Sequence, residues 1–401
     1  MSLSKKEIVI VLILAWLTAI EVLSMDLYLP AFSAIEEDLK TNMGKVQITI
    51  SVFLAGFAVG QLLWGSLSDR VGRKLPIIAG SVIYTVSSLY VLWTNSIEEL
   101  WICRFMQAFG GSAGVVIARA IVTDYFDRNR TANIFALLAL VMGVGPIVAP
   151  MIGTLLLKQW SWHSNFTAMA ILGVISLLSV IFLLPETHPK TKRQKTINPA
   201  YKGRTVLGSY LHVFRNRQFL TYTLIGTLTY IGIILYISNS PFLIMEKGGF
   251  SGVTYSLIFG GNALGMMIAS FSVTVLNKHV KLQLLVKCAI IVQVIATVLL
   301  FAAVLMDLPV WYILVLVFLF LLTLGILFPT TTDLALKPFH NDSGTASALF
   351  GFAQLAITFL VTALIGLLQN HSILPMASAL LFCALLSWVF TFIPQRRLNE
   401  K

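Results

Sequence analysis

Twelve long apolar stretches follow one another along this chain of 401 residues. A helix needs about 20 apolar residues to cross the hydrocarbon core of a bilayer, and each stretch has roughly that length. The stretches are continuously apolar, whereas strands of a membrane barrel alternate apolar and polar residues over about ten positions. The sequence therefore predicts an all-α polytopic membrane protein with 12 transmembrane helices, at 8–30, 46–66, 75–93, 99–123, 133–157, 166–184, 218–240, 253–276, 282–305, 309–330, 344–368 and 373–393.

The composition excludes a soluble protein. Hydrophobic residues make up 57% of the chain and charged residues 11%, with a mean hydropathy of +0.87, whereas soluble domains are about 25% charged. The first stretch also differs from a cleaved signal peptide, because it is longer than a typical signal region and contains Glu21 and Asp26. We therefore expect all twelve stretches to remain in the membrane.

The net charge of +11 indicates orientation rather than binding to nucleic acid. With the N-terminus inside, 22 of the 28 Lys and Arg residues fall in segments on that same side. Cytoplasmic loops of membrane proteins carry such an excess of Lys and Arg. We expect a multi-pass protein of the bacterial cytoplasmic (inner) membrane with both termini in the cytoplasm, and membrane lipids with anionic headgroups as partners of the basic loops.

The longest hydrophilic segment, 185–217, divides the spans six and six. This arrangement predicts an N-terminal six-helix bundle at 1–184, a basic cytoplasmic linker at 185–217 and a C-terminal six-helix bundle at 218–401. The linker is interpreted as a solvated connection whose charge fixes topology, with an amphipathic surface segment near 205–214 as the alternative.

A charged loop joins the second and third spans. Asp69 lies near the end of the second span, where the helix dipole disfavours a carboxylate, so we expect it to seek Arg73 or the N-terminus of a neighbouring helix. Asp124, at the end of the fourth span, is a second acid at the same depth. The residues that we select for conformational gating are Gly65, Asp69, Arg70, Gly72, Arg73 and Asp124.

Four charged residues fall inside predicted spans: Glu21, Asp26, Arg104 and Arg119. Placing Asp or Arg at the bilayer centre costs about 2.5–3.5 kcal/mol on insertion scales, so such residues are functional candidates. Asp26 and Arg104 are predicted to lie at similar depths near the outer side, where they can pair. Glu21 lies about 7 Å deeper, at 1.5 Å per residue. Arg119 lies toward the cytoplasm, where it would snorkel or pair with cytoplasmic acids.

The predicted arginine partner favours Asp26 as the proton-coupling carboxylate, with Arg104 beside it. Glu21 is either the proton carrier in its place or a structural residue that stays protonated. Met25 and Tyr28 fall on the same side of the helix as Glu21 by their spacing of four and seven residues. We therefore assign the substrate cavity to Glu21, Met25 and Tyr28 together with two polar residues of the C-terminal half, Asn239 and Gln354. The alternative for these two polar residues is an interhelical hydrogen bond.

The fifth span contains the small and helix-breaking residues Gly145, Pro146, Pro150 and Gly153. Such residues break the helical hydrogen-bond ladder locally and let another helix approach closely. The alternative is ordinary small-residue packing between membrane helices.

The sequence offers little support for catalysis. The segment 110–114 fits the GxSxG nucleophile pattern, but that pattern requires a turn between a strand and a helix, and here it lies inside the fourth span. Cys103, Cys288 and Cys383 lack metal-site spacing. We expect no catalytic residues, no metal and no cofactor.

Several motifs resemble those of the major facilitator superfamily, and of its Bcr/CflA-type (bicyclomycin/chloramphenicol resistance) drug/proton antiporters in particular. The resemblance rests on GSLSDRVGRK (65–74), LSMDLYLPAF (23–32), RFMQ (104–107), ARAIVTDYF (118–126), GPIVAPMIG (145–153) and LPET (184–187). It implies two six-helix bundles, with helices 1, 4, 7 and 10 around a central cavity. It also implies that Asp69, Arg73 and Asp124 form a latch, which holds the two halves together in one conformation and opens in the other, and that 145–153 is the antiporter motif. The alternative for the charged loop is that it only keeps this segment out of the bilayer.

The resemblance implies a proton-coupled secondary transporter, with drug/proton antiport by alternating access as the main hypothesis and Asp26 at the family's acidic position. The expected partners are protons and small amphiphilic or drug-like substrates, and we expect a monomer. A dedicated metabolite or siderophore carrier of the same fold is the alternative. An intramembrane enzyme or lipid-handling scaffold is a more distant one.

Overall fold

The computed structural model describes residues 4–126, 128–187, 212–339, 343–368 and 372–392. They include thirteen long or short α-helices with defined bounds and a π-helical segment, Phe242–Lys247, and among them there is no strand. The helices are α1 Lys5–Asp26, α2 Phe32–Asp38, α3 Met43–Val71, α4 Lys74–Tyr90, α5 Ile97–Tyr125, α6 Arg128–Gln159, α7 His163–Leu183, α8 Arg217–Pro241, α9 Gly252–Leu276, α10 Leu282–Leu305, α11 Val310–Leu336, α12 Ser343–Leu367 and α13 Leu374–Phe390. Of the predicted linker at 185–217, residues 188–211 lie outside this description.

Side-chain caps start several of these helices. The first backbone N–H groups of a helix have no partner within it, and a preceding Ser or Asn supplies one. Ser4 and Glu7 form a capping box at α1, in which Ser4 N–H donates to Glu7 Oε2 at 2.7 Å. Asn42 and Asn216 accept from the first turns of α3 and α8 at 2.9 and 3.0 Å. The helices between these caps satisfy their own backbone groups, which hydrocarbon requires.

The prediction of an all-α membrane protein is confirmed. Among the described residues, eleven helical segments are long and apolar enough to cross a bilayer. The predicted last span, 373–393, is the 17-residue helix α13. At 1.5 Å per residue it is about 25 Å long, slightly less than the roughly 30 Å hydrocarbon core.

The first span extends further than predicted and contains a break. Its apolar segment runs from Lys5 to Asp38, whereas the apolar pattern predicted an end at residue 30. Helix α1 ends at Asp26, a 3₁₀ turn covers Leu29–Ala31, and α2 continues the segment. Pro30 explains the break, because proline lacks the N–H that a continuous α-helix needs.

The described residues group into two compact units. The first contains α1–α7 together with residues 250–260. Within it, α5 packs along α3 and α4, and α1 packs against α5, α6 and α7. Its apolar core includes Leu14, Leu17, Ile117 and Ile121, all buried.

The second unit contains the other described residues from 212 onward. Helix α8 packs against α11, α12 and α13, while α10 packs against α11 and α13. Phe219, Ile290, Leu327 and Phe350 belong to its buried core. Each unit therefore has a core of its own.

Candidate functional site

A charge cluster stands where α3 ends and α4 begins. Arg73 Nε donates to Asp124 Oδ2 at 2.8 Å, and its Nη1 donates to Asp69 Oδ1 at 2.5 Å and to Ser68 Oγ at 2.8 Å. The Arg73 side chain is 7% exposed, against 20% for Asp124 and 62% for Asp69. Burial lowers the pKa of the Arg73 guanidinium, but the hydrogen bonds and charges of Asp124 and Asp69 outweigh this effect and raise it above its usual value. The structure thus brings together the three charged residues that the sequence grouped.

Gly72 gives the chain the reversal that places Arg73. Its φ of 104° and ψ of 170° lie in a region that residues with a side chain rarely adopt. Its N–H donates to Ser68 O at 3.1 Å and closes α3. The other two predicted gating residues differ in setting: Arg70 is exposed, and a Cβ at Gly65 would make ordinary contact with Val116.

Glu186 is a member of this cluster that sequence reasoning missed. It accepts from the backbone N–H groups of Arg73 at 2.9 Å and Lys74 at 3.2 Å, through its two carboxylate oxygens. A carboxylate at a helix N-terminus satisfies unpaired N–H groups and complements the helix dipole. The LPET motif just after α7 could have marked Glu186 as a candidate. Nothing in the sequence, however, predicts its contact with α4, which lies more than a hundred residues away.

Arg104, on α5, is fully buried inside the first unit. Its guanidinium carbon lies 4.2 Å from the ring centre of Tyr28 and 4.4 Å from that of Phe53. Nη1 donates to Gln107 Oε1, and Gln107 Nε2 donates onward to Ser88 Oγ at 2.7 Å. Nε and Nη2 have no hydrogen-bond partner. Cation–π contacts and one hydrogen bond therefore stabilise this buried charge.

The predicted ion pair between Asp26 and Arg104 is wrong for this structure. Both residues are described, and no ion pair joins them. Asp26 is 2% exposed, and its Oδ1 accepts no hydrogen bond. A similar depth of the two residues in the membrane does not by itself produce an ion pair. Here the Arg104 guanidinium packs against the rings of Tyr28 and Phe53 instead.

Glu21 is partly exposed, and neither a hydrogen bond nor an ion pair reaches it in the described part of the chain. Arg119, on α5, is exposed and forms no ion pair with the described acids. Of its two expected settings, the pairing with cytoplasmic acids is therefore absent here, and snorkelling stays a prediction. Met25 is 8% exposed. Tyr28 is fully buried, with its hydroxyl 2.8 Å from Thr49 Oγ1.

The two polar residues selected in the C-terminal half are buried in the second unit. Asn239 Nδ2 donates to Leu235 O at 2.9 Å within α8. Gln354 Nε2, on α12, donates to Gly226 O of α8 at 3.2 Å. The interhelical bond that was the alternative is thus present for Gln354. That both residues line a substrate cavity stays a prediction.

The selected residues of the fifth predicted span lie where α6 packs against α1. A Cβ at Gly153 would lie 1.8 Å from Leu27 O, and one at Gly145 would lie 2.6 Å from a Val22 methyl carbon. Both positions therefore require glycine for the helices to approach. Pro146 and Pro150 lie inside α6, and Pro150 is buried. Small-residue packing accounts for the two glycines.

The sequence matches the profile of the Major Facilitator Superfamily over residues 14–362. The chain belongs to this superfamily. A multidrug resistance protein, MdtL of Klebsiella pneumoniae, is 31% identical over 92% of the chain and 91% of that protein. A bicyclomycin resistance protein homolog of Haemophilus influenzae is 25% identical over 100% of both. The structure of a D-xylose-proton symporter has a TM-score of 0.79 at 13% identity and covers 97% of the chain and 98% of that structure.

The relatives confirm the resemblance found in the sequence, and the solved structure confirms the fold. This member of the Major Facilitator Superfamily is a multi-pass membrane transporter.

The GxSxG segment lies inside α5, where Ser112 Oγ donates to Phe109 O at 2.8 Å. That position is not the strand-to-helix turn that a nucleophile of this pattern needs.

Proposed function

We propose that the protein exports small amphiphilic, drug-like compounds in exchange for protons. The superfamily assignment and the relatives named for multidrug and bicyclomycin resistance support this function. In this proposal two six-helix bundles, 1–184 and 218–401, alternate access across the bacterial inner membrane. Both termini and the 185–217 linker are cytoplasmic, the protein acts as a monomer, and the proton gradient drives it without a cofactor or a catalytic residue.

The observation that carries the proposal is the unpaired state of Asp26. A buried carboxylate without a partner is costly in an apolar interior, so the neutral, protonated form suits this arrangement. Arg104, on the neighbouring helix α5, has two unpartnered nitrogens that could receive a carboxylate. The pair that is absent here is therefore available to another conformation.

These two arrangements supply a proton cycle. In one conformation Asp26 is protonated and Arg104 remains between its aromatic rings. In the other, Asp26 releases its proton and pairs with Arg104. A proton can drive a conformational change only if its affinity differs between the two states, and the presence or absence of the arginine partner produces that difference.

The cluster around Arg73 supplies the conformational control. Its hydrogen bonds join the end of α3, the start of α4, the end of α5 and the segment after α7. We assign it the role of a latch that stabilises one conformation, in place of a direct role in substrate binding. Glu186 extends this latch from α7 to the start of α4.

The test is a susceptibility panel on cells that express the protein, with and without a protonophore. Export predicts raised tolerance to several unrelated amphiphilic drugs and its loss when the protonophore is added. Tolerance to a single compound would instead favour a dedicated metabolite or siderophore carrier. Tolerance that persists with the protonophore would contradict proton coupling.

A further inference from the structure

Three aromatic rings lie around the guanidinium of Arg104. The ring centres of Tyr28 and Phe53 are 4.2 and 4.4 Å from its Cζ atom, and that of Phe166 is 5.9 Å away. A cation within about 6 Å of a ring centre is attracted by the negative face of the ring. All three rings are therefore close enough to stabilise the charge, and we call Tyr28, Phe53 and Phe166 the arginine cage.

The cage is assembled from three separate segments of the first unit. Tyr28 follows the end of α1, Phe53 lies on α3 and Phe166 lies on α7. Each of the three is at most 2% exposed. The Tyr28 hydroxyl lies 2.8 Å from Thr49 Oγ1 of α3, and the ring centres of Tyr28 and Phe166 are 5.6 Å apart. The cage is therefore part of the packing that holds α1, α3 and α7 together.

The cage stabilises Arg104 without occupying all of its hydrogen-bond donors. A fully buried arginine is rare unless it is paired. Here Nη1 donates to Gln107 Oε1, whereas Nε and Nη2 have no partner among the described residues. Ring faces attract a cation but accept no strong hydrogen bond, so they leave these two nitrogens free. Arg104 can thus stay charged without a carboxylate and still receive one in another conformation.

Few other ionisable groups lie near this site. On α2, α3, α4, α6 and α7 the charged residues and His163 lie within three residues of a helix end: Glu36, Glu37, Asp38, Lys45, Asp69, Arg70, Lys74, Arg128, Arg130, Lys158 and His163. Helix α4 also contributes Tyr84, whose hydroxyl lies 2.6 Å from Ser24 Oγ. On α5 the neighbouring ionisable side chain is Cys103, and α1 carries Glu21 and Asp26. Asp26 is the acid that the proposed cycle pairs with Arg104, and the attraction of the cage opposes that pairing.

We propose that the arginine cage sets how tightly the transporter holds its coupled proton, with Phe53 as a positioning residue that acts through Arg104. In the proposed cycle, Arg104 leaves the rings and pairs with Asp26 when Asp26 releases its proton. A cage that attracts the guanidinium more strongly makes proton release less favourable, and a weaker cage makes it more favourable. This inference rests on the proposed proton cycle and names the side chains that determine its proton affinity.

Substitutions at Phe53 test the cage most directly, because Tyr28 also forms a hydrogen bond and Phe166 lies near the distance limit of the interaction. Phe53→Leu removes the ring and keeps an apolar side chain, whereas Phe53→Tyr keeps a ring. Phe57→Leu is the matched control, because Phe57 lies one turn further along α3, outside the cage, and is also 2% exposed.

Ethidium is the probe, because it is a permanent cation whose charge does not change with pH. Its fluorescence measures binding to the purified full-length protein in lipid nanodiscs as the pH is varied. In an exchange of drug for proton, the two ligands favour different states of the protein, so drug binding weakens as the pH falls. The pH at which half of the binding is lost reports the proton affinity.

We expect Phe53→Leu to weaken proton affinity about three- to tenfold, which lowers this midpoint by about half to one pH unit, because one cation–π contact is lost in a desolvated site. Ethidium binding should therefore persist to lower pH. Phe53→Tyr and Phe57→Leu should keep the wild-type midpoint. An unshifted midpoint in Phe53→Leu, or an equal shift in Phe57→Leu, would overturn the inference.

Graded fluorination of the ring at residue 53, introduced by nonsense suppression, covers the case in which Phe53→Leu does not fold. Fluorine withdraws electron density from the ring face and nearly preserves the shape of the ring, so packing is kept while the attraction for a cation falls. The midpoint should fall stepwise with the number of fluorine atoms. A midpoint that does not respond to fluorination would also overturn the inference.

Asp26→Asn separates the cage from the proton cycle. If Asp26→Asn loses the pH dependence of ethidium binding and Phe53→Leu has an unshifted midpoint, the cage fails and the cycle stands. If Asp26→Asn keeps the wild-type pH dependence, the proposed proton site fails and the role of the cage fails with it. Wild-type ethidium binding that is absent, or equal at every pH, would count against the proposed export function itself.

Discussion

Replacing Asp124 with Asn should destabilise the latched conformation, and the geometry of the Arg73–Asp124 pair gives the size of the effect. The Asp124 carboxylate lies 2.8 Å from Arg73 Nε, and their side chains are 20% and 7% exposed. A hydrogen bond to a charged group contributes about 1.5–3 kcal/mol when it is shielded from water. The pair of Arg73 with Asp69, which is 62% exposed, can compensate for little of the lost stabilisation, because exposed ion pairs contribute about 0–1 kcal/mol. We expect a shift of about 2 kcal/mol away from the latched conformation, or roughly 30-fold in population.

Distances between spin labels measure this shift. Cysteines at the exposed residues Leu75 and Lys278 carry the labels, one in each unit, after removal of the native cysteines. Glu98→Gln is the matched control, because it breaks a 3.5 Å pair with Lys45 whose side chains are 59% and 43% exposed, and it should leave the distance distribution unchanged. An unchanged distribution in Asp124→Asn, or loss of substrate binding equal to the loss of turnover, would refute the latch.

Three further substitutions test other parts of the account. Gly72→Val should cost at least 1–2 kcal/mol in the latched state because φ is 104°, and should lower turnover while the Kd for substrate changes little; a parallel loss of both would contradict this role. Gly153→Ala should lower the yield of folded, transporting protein, because the new Cβ would lie 1.8 Å from Leu27 O. Gly261→Ala is the control and should leave the yield unchanged, because the space around Gly261 is open. Equal yields of the two variants by size-exclusion chromatography would disprove the packing argument. Glu21→Gln should reduce export of cationic substrates several-fold more than of neutral ones, since only a cation loses a Coulomb partner; equal reductions in vesicle uptake would remove Glu21 from the recognition surface.

The fold and the Asp69–Arg73 pair could be predicted because their signals are local, whereas Asp124 was grouped with this pair by its depth and by the family resemblance. Continuous apolar stretches specify membrane helices whatever their neighbours are. Asp69 and Arg73 are four residues apart, so one helix end brings them together. The break at Pro30 could have been placed from the proline alone, although the continuation through α2 could not, because that segment is short and carries three acids.

Contacts between distant segments could not be predicted in the same way. Glu186 reaches α4 across more than a hundred residues, and no periodicity encodes that approach. The depth argument placed Arg104 near Asp26 but did not include the rings of Tyr28 and Phe53, which are better partners in this conformation. The partners of Arg104 and Glu186 depend on how side chains from distant segments pack together, and a single sequence does not specify that packing.

The central claim is that Asp26 carries the coupled proton, and uptake into everted vesicles under an imposed pH gradient tests it most directly. Asp26→Asn should abolish gradient-driven uptake of an amphiphilic drug while substrate binding persists, because the side chain can no longer exchange a proton. Asp307→Asn removes an exposed carboxylate that pairs with Lys247 at 3.0 Å, and should transport like the wild-type protein. Full gradient-driven uptake by Asp26→Asn would contradict the account and would move the proton site to Glu21 or out of the first span.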